Sequence, residues 1–213
     1  MKDNREAIRP YIADMVAVEK HILEAVERQR TDDDVKQFPE ALQIVGRIEG
    51  VLHSHIEGLE SHIQGYEGGG AAAAVKGAVT GVLGAIAGLY DKVRKDPASR
   101  ALRDDYTALS LAAVSYSMLH ATALGLSQGT VAELALRNLK DLTPLLIELA
   151  QVIPPVVVKE LSFEGYPIET GVGQLAARNT REAWRTESAT STVGAGFGSG
   201  TSGTGTTGGS FNR

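Results

Sequence analysis

The sequence predicts an all-α fold of four long helices, with an extra Gly/Ala-rich helix between the second and the third. Three observations carry this. Apolar residues recur at 3.6-residue spacing across residues 5–66 and again across 97–161. Only Val156 to Leu161 reads equally well as a short strand or one more helical turn, and no other strand pattern is credible. Prolines, glycines and an acidic run fall between the periodic stretches, where helices of this length would start and stop.

The first helix is predicted from about Arg5 to Arg28, with Ile8, Tyr11, Ile12, Met15, Val18, Ile22 and Val26 on one face. Asp32-Asp33-Asp34 and Pro39 mark a connection. The second helix runs from about Glu40 to Tyr66, facing inward through Val45, Ile48, Leu52, Ile56, Leu59 and Ile63, and Gly68-Gly69-Gly70 ends it. The extra helix covers about 71–95. Its glycines Gly77, Gly81, Gly84 and Gly88 line one side, which suits close approach to another backbone. Residues 68–90 are long enough to cross a bilayer, but Lys76, the scarcity of large apolar side chains and the lack of an aromatic belt argue for a packed helix.

The third long helix starts near Pro97-Ala98 and presents Leu102, Tyr106, Leu109, Ala113, Tyr116, His120 and Leu124. The fourth opens on a capping box, Thr130-x-x-Glu133, and continues through Leu134, Leu142, Leu145 and Leu149. A bend is expected at Pro144 and a stop at Pro154-Pro155. Residues 1–161 thus form the helical domain, and 162–187 a linker. Within that linker Trp184, Arg178, Arg181 and Arg185 sit at helical spacing and form a candidate docking helix for a protein partner. Residues 188–213 are mostly Gly, Ser and Thr and are expected to be disordered. Gly203-x-Gly205-x-x-Gly208 lies in that tail without a preceding strand, so it does not read as a dinucleotide site.

With 213 residues the chain is long enough for one sizeable core. The absence of cysteine excludes disulfides and thiolate-bound metal. A formal charge of −5 gives no general footprint for nucleic acid. Met1 to Tyr11 carries five charged residues in eleven and does not read as a secretory signal, so a cytoplasmic location is expected.

Glu19 is the most informative residue, because it falls within the apolar stripe between Met15 and Ile22. A carboxylate there is a metal ligand inside a bundle, or an edge residue that reaches solvent or bonds a neighbouring helix. On the second helix His55 and His62 flank the core stripe on one side, with Glu49, His53 and Glu60 on the other. These are two rows of donors, or two solvated flanks. His120 lies on the inner stripe near Tyr116, where bonding to a tyrosine or a carbonyl competes with metal ligation. Di-iron or di-manganese bundles require Glu-x-x-His from two helices. None is present, because Val18, Gly50, Leu52, Leu59 and Ser117 precede the five histidines by three.

Two stretches carry a resemblance. Ala17-Val-Glu-Lys-His-Ile-Leu-Glu-Ala-Val26 is similar to the first-helix signature of the bacterial YciE/YciF-type ferritin-like stress proteins. Ser115-Tyr-Ser-Met-Leu-His120, Leu124-Gly125, Ala132-Glu-Leu134 and Asn138-Leu-Lys-Asp-Leu142 resemble that family's later helices, in order and spacing. The resemblance implies a ferritin-like four-helix bundle that dimerises, over residues 8–152. Family carboxylates are replaced here by Leu109 and Ala112, and the closing-helix carboxylate corresponds to Asp141 or Leu142; Glu19 alone maps cleanly.

The expected function is therefore a non-enzymatic, ferritin-like structural or interaction protein, self-associating, with a degenerate metal centre and no cofactor; its link to stress rests on the resemblance. The alternative is a metal-binding protein holding iron or manganese through Glu19, His55, His62 and His120.

Overall fold

The computed structural model describes residues 3–65 and 97–184, and among these every regular element is a helix. The expected Gly/Ala-rich helix at 71–95 and the expected disordered tail at 188–213 lie outside the described residues. Helix α1 spans Asn4–Thr31, the single turn α2 Asp33–Lys36, α3 Pro39–Gln64, α4 Ala98–Gly125, α5 Gly129–Phe163 and α6 Val172–Trp184.

The ends follow from local chemistry. Asp3 caps α1 by accepting from the Arg5 N–H at 2.9 Å, and Asp32 caps α2 through the Asp34 N–H at 2.7 Å. Pro39 opens α3, where its missing N–H costs no intrahelical bond. The turn between α4 and α5 uses Ser127 in the left-handed region, with φ of 57°.

Cross-helix pairs give the arrangement. Lys20–Glu60, Glu27–His53 and Arg30–Glu49 run in opposite order along α1 and α3, so these two are antiparallel. Asn4–Leu126 and Gln29–Asp105 do the same for α1 and α4. Glu40–Lys159 and Arg47–Glu148 do so for α3 and α5, and His120–Ala132 and Ser99–Glu160 for α4 and α5. Each of the four long helices thus packs mainly on two antiparallel neighbours, while α3 and α4 run parallel and barely touch. One core fills the centre, built from Ile12, Met15 and Ile22 of α1, Ile48 and Leu52 of α3, Leu109 and Tyr116 of α4, and Leu142 and Leu149 of α5.

Four expectations need correction. The fourth helix does not stop at Pro154-Pro155 but continues to Phe163, so residues 156–161 are helical. The two prolines leave the Ala150 and Gln151 carbonyls without their intrahelical donors. Tertiary contacts outweigh that loss. Val156 is fully buried, Lys159 pairs with Glu40 at 2.5 Å, and Glu160 accepts from both the Ser99 N–H at 2.8 Å and its hydroxyl at 2.5 Å. Glu160 thereby caps α4, whose own N-cap, Pro97, has no side chain able to do so. Second, Thr130 is not the cap of α5: the helix begins one residue earlier, behind Gln128, without a side-chain cap. Third and fourth, Tyr11 and Leu124 point outward, at 41% and 58% exposure. Each lies at the stripe's margin, on a helix that meets its neighbours on the other side.

Residues 172–184 do form the expected short helix, and it packs on its own α5. Gly173 lies against Pro155, where a Cβ would come 2.8 Å from the proline Cα. The Trp184 ring lies beside Tyr106 at a centroid distance of 5.7 Å, tilted by 44°, and Arg181 donates to the Gln151 side chain. By length and composition alone, α4 and α5 are each apolar enough to cross a membrane. In the fold they supply Tyr116 and Asn138 to the core interior.

Candidate functional site

At one level of the core, separate from the buried pair Gln29–Asp105 between α1 and α4, each of the four long helices contributes a buried polar side chain. These are Glu19 from α1, His55 from α3, Tyr116 from α4 and Asn138 from α5, none more than 2% exposed. Isolated, such groups would cost several kcal/mol each to bury, of order 2–7 even for a neutral amide or hydroxyl. They are buried together and bond to one another.

His55 Nδ1 lies 3.0 Å from Glu19 Oε1 and donates to it. The imidazole edge meets the Tyr116 ring at a centroid distance of 5.7 Å and an interplanar angle of 85°. Asn138 Nδ2 donates to the Tyr116 hydroxyl at 2.9 Å, which leaves the hydroxyl proton for Glu19. On the far side of the imidazole, Nε2 faces Asp141 Oδ2 at 3.5 Å, and Asp141 is half exposed. A polar chain therefore leads from Tyr116 through Glu19 and His55 to the surface at Asp141. Two atoms stay without a hydrogen bond of normal geometry, Glu19 Oε2 and His55 Nε2.

Burial pushes the Glu19 carboxyl above its ordinary range, and the bonds from His55 and Tyr116 only partly offset this. The Tyr116 hydroxyl is pushed far up, first by burial and then by the charge of Glu19, so it remains a protonated donor.

Of the four residues picked out in the sequence, the structure joins Glu19 and His55. His62 Nδ1 donates to the Gly58 carbonyl of its own helix at 2.9 Å, and His120 Nδ1 to the Ala132 carbonyl at 2.8 Å. Both are tied to backbone oxygens. Among the described residues, no three donors drawn from Glu19, His55, His62, His120 and Asp141 come within 4.8 Å of one another. Asn138 was not foreseen as a site residue. Its signal was present: it stands four residues from both Leu134 and Leu142, inside the apolar stripe of α5.

A dimetal centre of the bundle type takes a carboxylate from each helix and a histidine from two. The residues here do not fit one. Tyr116 and Asn138 occupy two of the four helices' places, and Glu19 and His55 are bonded to each other. Comparisons with protein-family models, with curated proteins and with solved structures return no match to this chain.

Proposed function

We propose that this chain is a non-enzymatic, self-associating helical protein of the ferritin-like kind, whose metal centre has been replaced by a hydrogen-bonded polar layer. The observation that carries it is the outer face of α4. Leu111, Val114 and Met118 point away from the core, at 37%, 61% and 57% exposure. From Tyr106 to Gly125 the helix contains no Asp, Glu, Lys or Arg at all. A charged stretch of helix is the normal solvent face, and an apolar row of this length marks a surface that is covered by something.

A second copy of the chain suits this face best. It offers nothing to a charged partner, and its neutral counterpart is itself. Two α4 helices crossing antiparallel about Val114 place Leu111 of each against Met118 of the other, an isologous two-fold contact. The connectivity supports the ferritin-like reading, since a single long crossover joining two antiparallel pairs is the arrangement of such bundles. The polar layer supports the loss of metal chemistry, because its donors are used internally.

Light scattering on the untagged full chain tests this. Twice the chain mass is expected at tens of micromolar, and the chain mass is expected for Val114→Glu with Met118→Glu at unchanged helicity. A monomeric wild type, a double variant that still dimerises, or a wild type that stays monomeric and binds lipid vesicles through this face would each overturn the proposal.

A further inference from the structure

We propose that Glu27, Glu49 and His53 form a binding site for a divalent cation of the Zn²⁺ type on the outer seam between α1 and α3. One donor atom from each lies within 4.8 Å of the other two, the one trio of this kind among the described residues. Glu49 and His53 are four apart on α3 and so project from one face, while Glu27 reaches them from the antiparallel α1. The two helices are fixed by the core between them, so the three donors are held near one another before any ion arrives.

The spacing suits a small tetrahedral ion. His53 Nε2 and Glu27 Oε1 are 3.5 Å apart. Bonds of about 2.0–2.1 Å in a tetrahedron give a ligand-to-ligand edge of about 3.3–3.4 Å. One nitrogen and two carboxylates form a mixed donor set that favours zinc over calcium or magnesium, which prefer oxygen alone. Glu27 and His53 are exposed, so a water can complete the coordination.

Glu49 is also held from behind. Arg30 Nε bonds its Oε2 at 3.1 Å, in the way that outer partners orient ligating carboxylates. Arg30 reaches this position across Gly46, where any Cβ would collide with its guanidinium. The two carboxylates lie close together beside an imidazole nitrogen, and a dication relieves their repulsion directly.

The site is independent of the buried layer, and the test keeps the two apart. ZnCl₂ is titrated calorimetrically into the untagged, EDTA-treated full chain. One saturable Zn²⁺ per chain is expected, with a higher melting temperature for the loaded protein. His53→Ala and Glu27→Gln, both at exposed positions, should each weaken binding by about tenfold or more, while Glu19→Gln leaves it unchanged. Absence of saturable binding overturns the site. Binding that survives both surface substitutions also overturns it, and would place the ion on another histidine.

Discussion

Tyr116→Phe isolates what the buried layer contributes. The substitution keeps the ring, its contact with His55 and its volume, and removes only the hydroxyl. That hydroxyl accepts from Asn138 at 2.9 Å and interacts with Glu19, both fully enclosed. Without it the Asn138 amide is a buried donor with no acceptor, a loss of about 1–3 kcal/mol. Glu19 loses one of its two side-chain donors, for about another 1 kcal/mol. The expected destabilisation is thus about 2–4 kcal/mol, well above the range of neutral substitutions. Urea unfolding followed by circular dichroism reads it: with a slope near 2 kcal/mol/M, the midpoint falls by about 1–2 M. Asn138→Leu in the Tyr116→Phe background should restore part of that loss, because both polar partners are then gone. A Tyr116→Phe midpoint within about 0.5 kcal/mol of wild type would refute the reasoning.

Two further outcomes follow from the structure. Glu19 titrates near 4.5 when unfolded and higher when buried, so between those values the folded chain binds more protons and loses stability as pH rises. Its contribution is fully present below 4.5 and is lost as pH climbs through the raised folded value. The stability of wild type relative to Glu19→Gln should therefore drop across that window, and a difference that stays flat with pH would contradict the assignment. Gly173→Ala should dislodge α6, because the new Cβ meets Pro155 backbone at 2.8 Å and nothing flexible can yield. Trp184 is the chain's only tryptophan, so a red-shifted emission reports its separation from Tyr106, and unchanged emission means that α6 stays docked.

The helices were legible because their stripes are long and regular, and Glu19 stood out as a charge inside one. Its partner was harder to see. His55 and His62 share one flank of α3, seven residues apart, and nothing in the sequence separates them. The docking of α1 does: His55 falls level with Glu19, while His62 sits near the helix end, where Lys20–Glu60 marks the exposed seam, and turns back to Gly58. The prolines of α5 misled for a similar reason. Local propensity ends a helix at Pro154, and only the distant Ser99, Glu40 and Gly173 hold it onward. The outer face of α4 was hidden because an apolar residue at 114 or 118 reads as more core until the inward direction is known.

The parallel, diagonal placement of α3 and α4 divides the chain into two local hairpins. α1 with α3 forms one, α4 with α5 the other, and the ends to be joined, Gly65 and Pro97, lie a helix length apart, about 40 Å. Each hairpin closes through contacts near in sequence, whereas the docking step that joins one half to the other pairs residues far apart in the chain. Most of the surface that meets in that step is aliphatic and would tolerate a slide of one turn. The polar layer would not, because a slide brings Glu19 opposite Ala112 and strands Asn138. Glu19 and His55 on one half, and Tyr116 and Asn138 on the other, work as the index marks of a two-part joint, fixing the depth at which the halves engage.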